Sequence, residues 1–234
     1  MSLLGLKLFN TVSYLYLLVS SLIIADFTGG FSEKVLVAPA PFAFAIWGLI
    51  YITLLIFIVL QFFDLEKLNR MVAAIRFWFP LSMLLSGTSV IVGTSYSILF
   101  LAASLLTLCK VYSNLKASIP IGTFYYRLPF SLYLGWTSVA TIVDTFIVFK
   151  YNGIQEFLGL HELAWSVIML IAGGLIAIIF HYVQKDYIFP LVFIWGYIGI
   201  NANQQLSIIL TVTSSMILII TLVLMTSALK KLRS

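Results

Sequence analysis

The chain has 234 residues, of which 62% are hydrophobic and 9% charged, with a mean hydropathy of +1.12 and a formal net charge of +5. Soluble domains are typically about 45–50% apolar and about 25% charged. There are too few charges here to cover a water-facing surface, and the same hydrophobicity excludes disorder. Long uninterrupted apolar runs indicate helical spans rather than alternating barrel strands. At ~20 residues per span the chain holds roughly eight, with short loops and no soluble domain. The single cysteine, Cys109, excludes an internal disulfide framework and any cysteine-based metal cluster.

In chain order the predicted spans are Phe9–Ala25, Phe42–Phe63, Phe77–Val92, Ser95–Val111, Leu128–Phe149, Ala164–Tyr182, Tyr187–Asn201 and Leu206–Ala228. The first reads as an uncleaved helix, because only Lys7 precedes it and no small-x-small cleavage site follows. The third and fourth come from one apolar stretch divided between Gly87 and Ser95. The seventh is short and has Pro190 near its start, a position proline tolerates. No linker, low-complexity tract or short repeat interrupts the series. The fold class expected is an all-α polytopic transmembrane bundle.

With this division, eleven of the 13 basic residues fall on one side: Lys7, the group from Lys67 to Arg76, the group from Lys110 to Arg127, Lys185 and the tail. Only Lys34 and Lys150 fall on the other. Such asymmetry is the positive-inside pattern and puts both termini in the cytoplasm. Merging the third and fourth spans would destroy it. The basic balance is accounted for by topology, which leaves no support for a nucleic-acid partner.

Chemistry-bearing residues are few. His161 and His181 are read as lying in loop regions at opposite membrane faces, so they share neither a metal nor a catalytic site. No GxSxG, HExxH or phosphate-binding glycine loop occurs. No catalytic residue, metal ligand or cofactor is assigned, and the chain is not expected to be an enzyme. Asp144 is the one acid well inside a span, about 7.5 Å from the end at Phe149. It is either a functional intramembrane carboxylate or an acid reaching interfacial water.

Two helix faces stand out. Pro129, Tyr133, Trp136, Ala140 and Asp144 fall within about 80° on the fifth span. Phe44, Trp47, Gly48, Tyr51 and Leu55 form a similar stripe on the second. Tyr51 and Trp136 are placed near mid-depth, whereas these residue types favour the interfaces, and each has a polar group needing a partner. Packing is the simpler explanation on residue type alone; a cavity for a flat hydrophobic ligand is the sharper one. Asn201, Asn203, Gln204 and Gln205 read as a plain turn-rich connection. The run from Leu108 to Lys116 fits a loose cholesterol-contact pattern of little weight.

The run Pro39, Pro41, Phe44, Ile46, Trp47, Tyr51 resembles the start of helix two in the tryptophan-rich sensory protein family, the TspO/MBR family related to the mitochondrial translocator protein. Pro129, Phe130, Trp136, Ala140 and Asp144 are similar to that family's last core helix. This chain lacks the family's further tryptophans before helix two, carries Asp144 where asparagine is usual, and has three more spans than the usual five. It looks closest to the longer bacterial relatives. The resemblance implies a five-helix core over residues 1–150, with 151–234 as a three-helix extension of the same membrane domain. It also implies binding, sensing or carriage of a porphyrin- or sterol-like molecule at Trp47, Tyr51, Trp136, Ala140 and Asp144. The partners expected are the lipid bilayer, that ligand and a second copy of the chain in a homodimer. The location expected is a cell membrane, such as the bacterial inner membrane. The alternative function is a small secondary transporter, for which several buried polar groups near the midplane would be needed.

Overall fold

A computed structural model describes residues 1–24, 34–63, 65–118 and 124–233. Among these there are nine α-helices: α1 (Leu3–Val19), α2 (Ile46–Leu60), α3 (Glu66–Ile75), α4 (Trp78–Ile91), α5 (Thr94–Ser118), α6 (Phe124–Tyr151), α7 (Glu162–Gln184), α8 (Ile188–Asn203) and α9 (Ser207–Arg233). A π-turn (Ser20–Ile24) extends α1, and a 3₁₀ turn (Pro41–Ala45) leads into α2. A two-stranded hairpin, β1 (Glu156–Phe157) and β2 (Leu160–His161), joins α6 to α7. The bundle is all-α apart from this hairpin.

All eight predicted spans are present as helices; the end of the first, Ala25, lies outside the described residues. Six apolar segments, built on α1, α2, α5, α6, α7 and α9, are long enough to cross a bilayer. The other two predicted spans, α4 and α8, have only 14 and 16 residues. At 1.5 Å per residue these reach about 21 and 24 Å, short of a ~30 Å hydrocarbon core. The helix not expected is α3. It buries Leu68, Met71, Val72 and Ile75 and exposes Glu66 and Arg70, which pair with each other. It meets α4 at 61°, with Arg76 at the corner at a positive φ of 47°.

In α1 the usual sorting of residues is inverted. Leu4, Leu8, Val12, Leu15 and Val19 face outward, while Lys7, Asn10 and Ser13 are buried with Tyr14 and Leu17. An apolar exterior around a partly polar interior suits a helix solvated by lipid. Asn10 Nδ2 donates to Gln61 Oε1 at 2.9 Å, and Gln61 Nε2 to the Lys7 carbonyl at 3.1 Å. These bonds tie α1 to the end of α2.

The centre of the bundle is α6, which packs on α2, α5 and α8. It is the most deeply buried of the long spans. The neighbouring order runs α1, α4, α5, α6, α8, α9, with α7 against α8 and α9. The C-terminal helices are thus joined to the N-terminal ones mainly through α8.

Candidate functional site

The site begins with Pro41, which starts the 3₁₀ turn and carries Phe44 toward α6. Phe44 meets Trp136 edge-on with centroids 5.6 Å apart. One turn on, Trp47 stacks on Tyr51 at 5.4 Å and touches Tyr133 at 6.2 Å. Two ring sets therefore face α6, Phe44 with Trp136 and Trp47 with Tyr51 and Tyr133. Trp136, Tyr133 and Tyr51 are buried, whereas Trp47 is half-buried at its margin.

The polar ends of these rings are treated unequally. Tyr133 Oη donates to the Ser82 carbonyl at 3.3 Å, which also receives Ser104 Oγ; Ser104 and Ser86 hydroxyls meet at 2.7 Å. Trp136 Nε1 and Tyr51 Oη are buried with no hydrogen-bond partner, although Ser21 lies near the Tyr51 hydroxyl. An unmade hydrogen bond on a buried group costs about 1–3 kcal/mol. Trp136 Nε1 is such a donor, and among the described residues Tyr51 Oη has only Ser21 within reach.

Trp47 and Tyr51 are brought together while Trp136 meets Phe44, and the two stripes read from the sequence are not each a single face. Gly48 and Leu55 are exposed to the exterior. Ala140 is half-buried one turn beyond Trp136. Asp144 turns to α5, where Ser97 Oγ donates to both carboxylate oxygens at 3.0 and 2.8 Å. The spread of about 80° along the stripe suffices to point its two ends at different neighbours, because α6 is packed on several sides.

A second polar group was not foreseen. Asp186, buried between α7 and α8, receives Ile188 N at 2.7 Å and Phe189 N at 3.0 Å on Oδ1, capping the first turn of α8. Its Oδ2 receives the Tyr112 hydroxyl and, at 2.5 Å, that of Ser131. His181 Nδ1 lies 2.8 Å from the Asp186 carbonyl, and buried Arg127 donates to the Gln184 carbonyl at 3.2 Å. His181 is thus a buried residue in the last turn of α7, not a loop residue as expected. The remaining signal in the sequence was an acid two residues ahead of an apolar helix that opens with Pro190.

The residues read as a plain connection after α8 hold the chain that leads into the site. Asn203 Nδ2 donates to the Ala38 carbonyl at 3.1 Å and Gln204 Nε2 to that of Val35 at 3.3 Å. Ala40 N donates to the Gly199 carbonyl at 2.8 Å, and Trp195 Nε1 to the Ala43 carbonyl at 2.8 Å. Gly199 is needed for this approach: a Cβ there would lie 2.6 Å from that of Ala43. Among the described residues no three His, Cys, Asp or Glu side chains converge as a metal site would require.

Comparison with known proteins agrees with the resemblance and extends it. No curated protein and no solved structure matches the chain. The family model described as TSPO-like protein matches residues 4–227. That match runs past residue 150 through α7 and α8 and into α9, so it includes the helices that clamp the approach to α2. A match over nearly the whole length decides the matter: the chain is a member of the TSPO-like protein family.

Proposed function

We propose that this multi-pass membrane protein binds, senses or carries a planar hydrophobic ligand of porphyrin or sterol type, without catalysing a reaction on it. The observation that carries the reading is the pair of unpartnered buried donors, Tyr51 Oη and Trp136 Nε1, within the aromatic group of α2 and α6. Flat rings supply stacking surface, and two donors fix the orientation of a ligand bearing a carboxylate or carbonyl. Ala140 borders the same face of α6; Asp144 belongs to it only if ligand entry reaches the α5 side. Both termini are placed in the cytoplasm on the strength of the basic residues. Absorbance titration of the purified protein with protoporphyrin and haem tests the reading. Saturable binding that is lost in Trp136→Ala supports it, and absence of binding to any porphyrin or sterol removes it.

A second reading, a small secondary transporter, gains from buried hydroxyls that the sequence reading did not count. Ser82, Ser86, Ser104 and Thr137 are buried along α4, α5 and α6, and the Thr137 hydroxyl has no partner. These groups are neutral and mostly satisfied by one another, so they favour a polar lining less than the aromatic group favours a ligand.

A further inference from the structure

Consecutive helices α6 and α7 touch little, because α7 packs on α8 and α9 instead. The gap between them is a cavity of about 610 Å³, roofed by the β1–β2 hairpin. That volume lies in the range of small-ligand sites, about 300–1,000 Å³. Its walls are Phe146 and Phe149 from α6, Phe157 from the hairpin, and Trp165 and Met169 from α7. The roof is held down: Phe149 and Phe157 rings lie 5.3 Å apart, and Trp165 Nε1 donates to the Phe157 carbonyl at 2.8 Å. None of these residues belongs to the aromatic group of α2 and α6.

The mouth is charged. Lys150 Nζ lies 3.5 Å from Glu162 Oε2, and His161 Nε2 lies 2.7 Å from Glu156 Oε1. Glu162 Oε1 also accepts Leu36 N at 2.7 Å. Glu156 and Glu162 thus face Lys150, whose Nζ also donates to the Lys34 carbonyl. The side chains are 32–73% exposed, so these pairs sit in water and are weak enough to exchange partners. An apolar hole beside lipid with a charged rim calls for an amphiphile rather than a polar solute.

We propose that this cavity holds one zwitterionic phospholipid with an amine-bearing head, taken from the leaflet on the hairpin side. An acyl chain fills the cleft between α6 and α7, the phosphate meets Lys150, and the ammonium meets Glu156 and Glu162. A glycerol head has no ammonium to meet those carboxylates. The exposed Phe157 ring adds to the attraction for the ammonium.

Native mass spectrometry of the detergent-purified protein, supplied with equal amounts of phosphatidylethanolamine and phosphatidylglycerol of matched chains, tests this. The expected result is a single phospholipid adduct, with the ethanolamine lipid favoured about fivefold. Thr145→Trp, which fills the wall of the cavity, should abolish the adduct. The double variant E156Q/E162Q should keep the fold and lose the preference. Equal retention of both lipids by the unaltered protein, or a preference unchanged in E156Q/E162Q, would overturn the proposal. So would stoichiometric displacement of the phospholipid by protoporphyrin, which would assign the cavity to the planar ligand. If Thr145→Trp fails to fold, the double variant alone decides. Trp136→Ala leaves this cavity intact, so loss of porphyrin binding and loss of the lipid adduct report on separate sites.

Discussion

Asp144 and Asp186 are two acids in one bundle with opposite surroundings. Asp144 is half-buried and has Ser97 as its partner across the α5–α6 contact. Asparagine can keep a bond to that hydroxyl, so Asp144→Asn should leave stability within about 0.5 kcal/mol of the parent. Because Asp144 faces α5, porphyrin affinity should also change less than twofold. A larger loss in titration would return Asp144 to the ligand site. Asp186 accepts four bonds from three different helices or their connections. Asp186→Ala leaves those donors buried and unmet and should cost about 3 kcal/mol or more. A thermal-unfolding series in detergent should show Asp186→Asn intermediate between parent and alanine variant. The sequence distinguished the first acid because it interrupts an apolar run. It hid the second, since an acid in a short loop looks the same whether solvated or buried.

At the level of elements, every predicted span is a helix because long apolar runs admit no other structure in lipid. The omission of α3 has a plain cause. Leu68, Met71, Val72 and Ile75 follow i, i+3, i+4, i+7, the pattern of a half-buried helix, but the segment is too polar to register as a span. Its end carries a testable strain. Arg76 has φ 47° and ψ −136°, a region in which a side chain is disfavoured and glycine is free. Arg76→Gly should stabilise the α3–α4 corner by about 1 kcal/mol, read as a rise in unfolding temperature. A fall would mean that the arginine charge at the membrane surface outweighs the backbone relief. The hairpin was equally hidden. Leu158 and Gly159 both have positive φ (53° and 75°), the turn geometry of a two-residue connection, yet leucine gives no turn signal.

Across the whole molecule, the N-terminal and C-terminal helices act as one unit through α8. Asn203, Gln204, Gly199 and Trp195 all hold the chain between Val35 and Ala43, which sets the position of Phe44 and Trp47. That coupling was illegible in the sequence, because amides after a helix look like an ordinary turn and their partners are some 165 residues away. Gly199→Val should push α8 from Pro39 and Ala43, costing about 1–3 kcal/mol of stability. It should weaken porphyrin binding at a site it does not touch. Unchanged binding in a folded Gly199→Val protein would show that the clamp does not position the aromatic group.

The double variant Y51F/W136F addresses the two buried donors, Tyr51 Oη and Trp136 Nε1, together. It removes the Tyr51 hydroxyl and the Trp136 N–H while keeping an aromatic ring at each position. The relief of unmet donors is offset by the void left where a smaller ring replaces the buried Trp136 indole, so the protein should stay folded with a modestly lower unfolding temperature. Protoporphyrin titration of the same variant should show affinity reduced at least about tenfold, equivalent to ~1.4 kcal/mol. A binding curve superimposable on that of the parent would contradict the assignment of the site.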